Sequence, residues 1–251
     1  MRDGVRGSFQ SATPQSRENR IMPTVATPLR CLLCTLLLTF ALSALDSSIQ
    51  ADELGFKPLL AGNDLVGWVE EPHGFFRDKH PGVRFWSLAD GVLHADGSHG
   101  NAGFLRYDRK LCDFILRLEF RMSKGCNSGV CFRSSAPYTT LKPNTLPSNL
   151  GFELQIMDDA STPPSDKGTG AFYAKLAPRV NAARAAGEWN TLEIECRSSR
   201  IRAVLNGQVV QDLDHTTVPE LASRPACGYL SLQNHGHDID FRQIRIQELK
   251  P

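Results

Sequence analysis

The chain has 251 residues, of which 41% are hydrophobic and 22% are charged, with 28 Lys and Arg against 27 Asp and Glu. This length and composition are typical of a globular protein. The formal net charge of +1 gives no electrostatic basis for binding nucleic acid or an anionic membrane surface.

The first 51 residues differ from the rest of the chain and predict an export signal. Arginines precede an uncharged apolar run at residues 31–45. A run of this length is too short to cross a bilayer as a helix, but it suits the core of a signal peptide. Small residues follow, and Ala44 or Ala51 is the expected cleavage point. We therefore expect export to the periplasm or the exterior; a retained short membrane anchor is the alternative.

Residues 52–251 are predicted to form one domain without a stable membrane span. These 200 residues are enough for a sizeable core. They carry 23 Lys and Arg against 24 Asp and Glu, so removal of the leader does not create a basic surface. Their five cysteines show no zinc-site spacing, and an odd number leaves at least one thiol unpaired in an oxidising compartment. The pairing cannot be assigned from the sequence.

Strand signals begin at residues 84–95. Asp90-Gly91 lies between two short strand-like segments and is typical of a tight hairpin turn. In residues 111–122 every second position from Cys112 is apolar, and most of the positions between are charged. This period of two predicts an antiparallel strand with one buried face and one solvated face.

The segment Asn127–Arg133 is the next predicted strand. Val130 and Phe132 are expected in the core, which places Gly129, Cys131 and Arg133 on the opposite face. Proline-containing loops follow at residues 134–150 and 159–168. Long loops of this kind are often the rims of a binding site.

Residues 151–158, between these loops, are the most informative segment. Three apolar residues alternate with Glu153 and Gln155, and Asp158 lies just beyond them. Because side chains alternate across a strand, Glu153 and Gln155 share the face opposite the core. A carboxylate beside an amide on a rigid strand suits a sugar-binding or acid/base surface.

The C-terminal part continues the β pattern. The Ala-rich residues 180–187 are predicted to form one or two helical turns, and residues 190–197 a strand. Asn206-Gly207 indicates another hairpin. A shift of the apolar parity between residues 239 and 246 predicts a β-bulge. The whole pattern predicts two packed sheets of about a dozen strands.

A polar set emerges when three of these strands are considered together. In residues 228–235 the alternation leaves Ser231, Gln233 and His235 facing away from the core. If the strands are neighbours, one sheet face holds a cation, a carboxylate, amides and an imidazole, which bind hydroxyls and transfer protons. The members are Arg133, Glu153, Gln155, Gln233 and His235. The alternatives are a simple Arg133–Glu153 ion pair and an exposed turn histidine.

These motifs together resemble the bacterial family of 3-keto-disaccharide hydrolase domains, also called DUF1080, from Gly55 to Leu249. The residues that carry the resemblance are Leu65-Val66-Gly67-Trp68, Asn127-Ser128-Gly129-Val130, residues 151–158, Thr169-Gly170-Ala171-Phe172-Tyr173, Leu232-Gln233 with His235-Gly236, and Phe241-Arg242-Gln243-Ile244. Each block is weak, whereas their order and spacing are specific. Gln243 departs from the family pattern, which usually has Asn, and we expect this change to affect packing only.

The resemblance implies an all-β fold, namely a concanavalin A-like jelly-roll β-sandwich of two antiparallel sheets with long rim loops. It also implies an enzyme that acts on an oligosaccharide or a 3-keto-glycoside. In such a substrate the ketone acidifies the hydrogen on C2, so that the group on C1 can leave by elimination. The expected catalytic residues are Glu153, His235 and Asp158, and the expected substrate-binding residues are Arg133, Gln155, Asn127, Gln233 and Tyr173.

The same residues also allow a metal site and bear on the choice between competing functions. Glu153, Asp158 and His235 together offer oxygen and nitrogen ligands for a divalent metal ion. The absence of a Glu-x-Asp-x-x-Glu pattern argues against ordinary glycoside hydrolysis by paired carboxylates. A non-catalytic carbohydrate-binding module and a structural domain remain the competing functions.

Overall fold

A computed structural model describes residues 55–60, 62–138 and 147–250. The predicted leader, residues 1–51, lies outside these residues, so both the leader and the domain boundary after it stay predictions. Within the described chain no helix combines the length and apolar character needed to span a membrane.

The described residues form a nearly all-β structure. The strands are β1 (Lys57–Pro58), β2 (Trp68–Pro72), β3 (Trp86–Ala89), β4 (Val92–Ala95), β5 (Asn101–Leu111), β6 (Phe114–Met122), β7 (Asn127–Ser134), β8 (Phe152–Met157), β9 (Trp189–Arg197), β10 (Arg200–Leu205), β11 (Gln208–Asp214), β12 (Gly228–His235) and β13 (Ile239–Glu248). Short helices lie at Gly74–Lys79 (α1) and Pro147–Leu150 (α2), with a 3-10 turn at His215–Thr217.

The strands form two antiparallel sheets. The eight-stranded sheet has the order β11-β10-β9-β6-β13-β4-β3, and β1 pairs with β13 as an additional strand. The five-stranded sheet has the order β2-β5-β12-β7-β8. The predicted concanavalin A-like jelly-roll β-sandwich of two antiparallel sheets is confirmed.

The core is built from alternating apolar side chains of both sheets. In β6 every second residue from Phe114 to Met122 is buried. Phe132 and Phe152, on neighbouring strands of the other sheet, stack with their ring centroids 5.3 Å apart and belong to the same core. The apolar side chains whose alternation predicts each strand are therefore the same side chains that pack the two sheets together.

The backbone angles of the turn residues confirm the hairpin and the bulge that the sequence predicts. Asn206 and Gly207 have φ values of 50° and 79° between β10 and β11, as a two-residue hairpin turn requires. The predicted C-terminal bulge lies between Arg242 and Arg245, where the register between β13 and β6 shifts and Gln243 has a φ of 53°.

Two predictions need correction. Residues 180–187 form an irregular segment rather than helical turns. Asn181 and Asn206 show why, because their side-chain amides donate to the carbonyl oxygens of Asp159 and Ala182 and hold the segment in a non-helical path. The predicted strand at residues 111–122 is interrupted by a turn at Cys112 and divides between β5 and β6.

A disulfide joins this turn to the segment that precedes β12. Cys112 and Cys227 are bonded across a separation of 115 residues. The remaining thiols of the described chain, at Cys126, Cys131 and Cys196, are buried and unpaired. The link closes a long loop between two distant parts of the sandwich.

Candidate functional site

Four side chains lie in one row across the five-stranded sheet. Arg106 of β5 pairs with Ser231 of β12. Ser231 pairs in turn with Cys131 of β7, and Cys131 pairs with Glu153 of β8. Directly paired residues of antiparallel strands project from the same face. This is the outer face of the sheet, since the neighbouring Leu232 projects into the core.

A second row runs parallel to the first, two residues along each strand. Glu71 of β2 pairs with Phe104 of β5, which pairs with Gln233 of β12. Gly129 of β7 pairs with Gln155 of β8. The register of β12 with β7 brings Gln233 level with Gly129 and completes the row.

These two rows form a buried polar cluster rather than a flat solvated surface, and we call this cluster the polar recess. We use the name for the outer-face residues Glu153, Gln155, Cys131, Ser231 and Gln233. Their exposed fractions lie between 1% and 5%, although they project away from the core. Buried polar groups are costly unless they find partners, so such a cluster is typical of a ligand site. The prediction that Glu153, Gln155 and Gln233 share one face agrees with this arrangement.

Gly129 makes room for the Glu153 carboxyl group. A Cβ atom on Gly129 would lie 2.8 Å from Glu153 Oε1 and 3.1 Å from Glu153 Cγ. The carboxyl group therefore leans over the neighbouring strand, where a glycine leaves space for it. A side chain at this position would push the carboxyl group away.

The segment after the second rim loop completes the edge of the recess. Tyr173 N–H donates to the Glu153 carbonyl oxygen at 3.1 Å, and Gln155 N–H donates to the Ala171 carbonyl oxygen at 3.0 Å. Phe172 is part of the core, so the half-buried Tyr173 lies on the recess side of this added edge. Tyr173 thus lies beside Glu153, and its role in substrate binding stays a prediction.

The two amides of the recess are held differently. Gln155 Nε2 donates to Asn127 Oδ1 at 3.0 Å, which fixes the Gln155 amide and explains the place of Asn127 at the site. Gln233 is 5% exposed, and its buried Oε1 has no hydrogen-bond partner among the described residues. A buried amide oxygen without a partner is rare in native proteins and points to a missing ligand group or water.

Glu71 and Arg106, at the β2–β5 end of the rows, are site residues that the sequence interpretation missed. Arg106 Nε donates to Glu71 Oε1 at 2.7 Å, and its Nη1 donates to Asp108 Oδ1 at 2.7 Å. These contacts raise the pKa of the Arg106 guanidinium although burial opposes the rise. The guanidinium also lies 4.5 Å from the centre of the Tyr229 ring. The sequence signals that could have identified Glu71 are the motif Leu65-Val66-Gly67-Trp68 just before it and the strand pattern around it.

Tyr138, from the first rim loop, lies over this end of the face. Its backbone N–H donates to Glu71 Oε2 at 2.8 Å. Its ring is 4.9 Å from the ring of Phe104 and 5.9 Å from that of His73. Burial raises the pKa of the Tyr138 phenol, which therefore stays protonated and can donate a hydrogen bond.

Cys131 lies on the floor of the recess as a neutral thiol. It is fully buried, and desolvation together with the neighbouring Glu153 raises its pKa. A protonated thiol is a weak nucleophile. We therefore assign Cys131 to the floor of the recess rather than to covalent catalysis.

Arg133, a predicted substrate-binding residue, is not in the recess. It has a φ of 52° and is fully buried. Its guanidinium donates to the carbonyl oxygens of Cys112 and Ser198 at 2.8 to 3.0 Å and to Asp113 Oδ1 at 3.0 Å. The positive φ breaks the strand alternation, and the prediction was wrong because alternation was extended one residue too far. Arg133 ties together two turns of the sandwich.

Asp158, a predicted catalytic and metal-binding residue, has a structural contact instead. Its Oδ2 accepts the backbone N–H of Gly125 at 2.8 Å, which holds the turn between β6 and β7. Continued alternation from Glu153 and Gln155 places Asp158 on the opposite side of the strand. The predicted divalent site from Glu153, Asp158 and His235 is not formed, and no group of three or more His, Cys, Asp or Glu side chains in the described part of the chain is arranged to hold a metal.

His235 shares the outer face but not the centre of the recess. It is the last residue of β12, two positions beyond Gln233, and its side chain is exposed. From the register, its Cα lies about 16 Å from that of Glu153, because two strand spacings and four residues separate them. The two residues can therefore reach opposite ends of one bound molecule but not the same atom.

The fold and the recess together define a jelly-roll protein with a candidate ligand site on the outer face of its smaller sheet. Residues 55–247 match the family model of the 3-keto-alpha-glucoside-1,2-lyase-like domain. The chain belongs to this family, as the motifs of the sequence predict.

Known proteins are also similar to this chain in sequence or in structure. A 3-keto-disaccharide hydrolase of Bacteroides thetaiotaomicron is 23% identical over 250 aligned positions, which cover 83% of this chain and 82% of that protein. Two solved structures from Parabacteroides distasonis, both provisionally named glycosyl hydrolases, have TM-scores of 0.62 and 0.60. They are 20% and 27% identical and cover 82% and 77% of this chain, with 97% and 99% of their own lengths matched.

Proposed function

We propose that this chain is an exported saccharide-processing enzyme that cleaves 3-keto-glycosides by elimination between C1 and C2, with later addition of water. The observation that carries the proposal is the buried Glu153 carboxyl group, which leans over Gly129 beside the amides of Gln155 and Gln233. Family membership and the name of the Bacteroides thetaiotaomicron relative support the choice of substrate.

The reaction needs a base, a donor to the ketone oxygen and an acid. The base removes the proton from C2, and the electron pair of that bond forms an enolate on the C3 oxygen. When the enolate collapses back to the ketone, a C1–C2 double bond forms and the C1–oxygen bond breaks. The departing oxygen takes a proton, and water can then add to C1. Hydrogen bonds to the developing enolate lower the barrier because they strengthen as the charge forms.

Residues of the recess can be assigned to these tasks. Glu153 is the proposed base, because it is the carboxyl group that lies among the recess amides. The amide N–H of Gln233 is the proposed donor to the ketone oxygen. Gln155 Nε2 already donates to Asn127 Oδ1 and Met157 Sδ, so the Gln155 Oε1 is proposed to accept from a neighbouring sugar hydroxyl. His235, at the open end of the face, lies too far from Glu153 to act on the neighbouring C1–oxygen bond, so water is proposed to supply the proton to the departing group. Tyr173 is proposed to contact the sugar beside Glu153.

Ordinary glycoside hydrolysis fits the face poorly. Glu71 and Glu153 lie on β2 and β8, the two edges of the five-stranded sheet. Four strand spacings and a two-residue offset put their Cα atoms about 20 Å apart, which is too far for the two carboxyl groups to approach the separation of about 5 to 10 Å that hydrolases of this kind use. Glu71 is moreover bound to Arg106 at 2.7 Å. This geometry favours a mechanism in which one carboxyl group suffices.

The disulfide supports the export part of the proposal. A Cys112–Cys227 bond persists in an oxidising compartment such as the periplasm or the exterior. The apolar run at residues 31–45 provides a route there. Expression of the full chain with N-terminal sequencing of the exported product tests this part; a product that keeps its first residues in the cytoplasm contradicts it.

The activity is tested with purified protein, 3-keto-glucosides and the parent glucosides. We expect release of the departing alcohol from the keto form only, and a loss of at least about 100-fold in kcat for Glu153→Gln. Glu195→Gln, on the eight-stranded sheet, is the matched control and should keep its activity. Binding of both sugars without turnover would favour the carbohydrate-binding alternative, and turnover of the parent glucosides would contradict the keto-assisted mechanism.

A further inference from the structure

The outer face of the eight-stranded sheet contains a charged cavity that the proposed function does not use. It has a volume of about 340 Å³ and lies across the neighbouring strands β13, β6, β9 and β10. This volume falls within the range of about 300 to 1000 Å³ that is usual for small-molecule sites. The charged residues that line the cavity are Arg117, Arg202, Arg245, Glu119 and Glu193.

The lining of this cavity carries a net positive charge. Its three arginines exceed its two glutamates by one. Residues 52–251 as a whole carry 23 Lys and Arg against 24 Asp and Glu, so this positive charge is local. Glu119 is also bound from outside the cavity, because it accepts from Arg242 Nε at 2.6 Å. A positive depression on a nearly neutral domain favours an anionic ligand.

Two of the arginines lie directly opposite each other. Arg245 of β13 and Arg117 of β6 are paired residues of neighbouring antiparallel strands, so their side chains leave the same face close together. Like charges in this arrangement destabilise a sheet. An oxyanion between two guanidinium groups replaces this repulsion by attraction, because each guanidinium can donate two parallel hydrogen bonds to its oxygens.

The arginines differ in how firmly they are held. Arg117 Nε donates to Glu193 Oε2 at 2.7 Å, and the Arg117 guanidinium lies 4.4 Å from the centre of the Phe56 ring. Arg202 Nη1 lies 3.7 Å from Glu193 Oε1, which is too long for a hydrogen bond. The Arg202 side chain is 37% exposed. Arg202 can therefore turn towards a ligand without the loss of a hydrogen bond to Glu193.

The cavity has room for more than an oxyanion alone. Its volume of about 340 Å³ is about ten times the share of liquid volume that one water molecule takes. The Thr191 hydroxyl and the Gln243 amide also line it, and both groups can bind hydroxyl groups of a ligand. Gln243 lies at the β-bulge with a φ of 53°, which is an uncommon backbone conformation for glutamine.

We propose that this cavity binds the phosphate or sulfate ester of a small polyhydroxyl compound such as a sugar. The ester group lies between Arg117, Arg202 and Arg245, which come from the three strands β6, β10 and β13. Such an ester offers three terminal oxygens to three guanidinium groups, whereas a carboxylate offers two. The cavity and the polar recess lie on different sheets, so this site is independent of the proposed function.

Calorimetric titration of the purified protein at low ionic strength tests the proposal without any turnover. The probes are glucose 6-phosphate, glucose 6-sulfate, glucuronate and glucose. The better of the two esters should bind at least about tenfold more tightly than glucuronate and glucose, and a comparison of the two esters identifies the preferred oxyanion. Equal affinity for the esters and glucose would overturn the site, and equal affinity for the esters and glucuronate would overturn the choice of ester.

Arginine variants locate the binding of the ester. Arg202→Met and Arg245→Met should each weaken it at least about tenfold. Arg197→Met removes the same charge from the same sheet outside the cavity, where Arg197 pairs with Glu195 at 3.2 Å, and should keep the affinity within about twofold. Thermal unfolding shows that each variant is folded before it is titrated. Unchanged affinity in Arg202→Met, or an equal loss in Arg197→Met, would overturn the proposal.

A glutamate variant should act in the opposite direction. Glu193→Gln removes a carboxylate that competes with the ester for Arg117 and Arg202, while the Phe56 ring still contacts the Arg117 guanidinium. The ester should therefore bind about threefold more tightly or better, since a nearby negative charge is lost. Weaker binding in folded Glu193→Gln protein would overturn the position of the ester between the arginines.

Discussion

The Glu153 carboxyl group lies directly over Gly129, in the space that any other residue would fill. The two residues are on neighbouring strands, and a Cβ atom at position 129 would come within 2.8 Å of Glu153 Oε1. Gly129 has no positive φ, so its backbone conformation is open to alanine. The glycine is therefore needed for the position of the carboxyl group and not for the path of the chain.

Gly129→Ala should consequently damage activity far more than stability. The new methyl group displaces the end of a flexible side chain rather than backbone, so we expect the thermal midpoint to change by only about 2 °C. We expect kcat to fall about 10- to 100-fold, because an acid/base group displaced by about 1 Å loses much of its effect. Steady-state kinetics and thermal unfolding of the same preparation check both numbers.

A double variant provides the control for this prediction. If the methyl group acts only through Glu153, adding Gly129→Ala to Glu153→Gln should change kcat very little. Independent, multiplicative losses would show that Gly129 contacts the substrate or supports the sheet. That result would contradict the role assigned to the glycine.

Much of the fold follows from the sequence because strands and hairpins are encoded locally. The alternation in β6, β8 and β9 and the Asn206-Gly207 turn each specify their own structure, and the confirmed sandwich is the arrangement that buries all the apolar faces. The candidate site is harder to predict from local sequence patterns than the strands are. Alternation correctly assigns Glu153, Gln155 and Gln233 to one face, since each lies within a regular strand.

The errors at the site have identifiable physical causes. Arg133 has a positive φ that reverses its side chain, and local periodicity contains no sign of it. Asp158 lies past the end of β8, where a backbone N–H from a distant turn competes for its carboxyl group. Glu71 and Arg106 come together because β2 and β5 are neighbours in the sheet. That strand order depends on contacts between segments far apart in the chain.

Replacement of Arg133 by Met should destabilise the protein without changing the chemistry. The substitution leaves the carbonyl oxygens of Cys112 and Ser198 without their donor and removes a fully buried charge from its partner Asp113. We expect the free energy of unfolding to fall by at least about 3 kcal/mol. Urea denaturation measures the loss, and kcat of the folded protein should stay within twofold of the wild type.

A surface arginine provides the matched comparison. Arg197 forms an exposed ion pair with Glu195 at 3.2 Å, so Arg197→Met should cost at most about 1 kcal/mol. If Arg133→Met lowers the free energy of unfolding no more than Arg197→Met does, the turns at Cys112 and Ser198 do not depend on the Arg133 guanidinium. If it abolishes activity in fully folded protein, the original prediction that Arg133 binds substrate regains support.

Loss of the Cys112–Cys227 bond should also lower stability. The bond spans 115 residues, and closing so long a loop restricts the unfolded chain strongly. Cys112→Ser with Cys227→Ser should lower the free energy of unfolding by about 2 to 4 kcal/mol. Urea denaturation of the wild type with and without reductant should show the same difference, while reductant should leave the double variant unaffected. Equal midpoints for oxidised and reduced wild type would contradict the bond.

The three buried thiols should make the protein sensitive to alkaline pH. Burial raises the pKa of Cys126 and of Cys196 to about 12 and raises that of Cys131 as well, so all three stay protonated in the folded state. The unfolded thiols ionise near pH 9, so the unfolded state binds fewer protons above that pH. The free energy of unfolding should therefore be unaffected by the thiols below pH 9 and should fall between pH 9 and pH 12.

Cys196→Ala isolates one of these groups. Above about pH 9 its stability should decline less steeply than that of the wild type, with a difference that approaches 1.4 kcal/mol per pH unit. Denaturant titrations at pH 8, 9 and 10 give the slopes, and iodoacetamide at pH 8 should label the native protein only after unfolding. Parallel slopes, or rapid labelling of the native protein, would show that the thiols ionise in the folded sandwich. A neutral Cys131 beside Glu153 adds no second negative charge to the recess, which favours the enolate formation that we propose there.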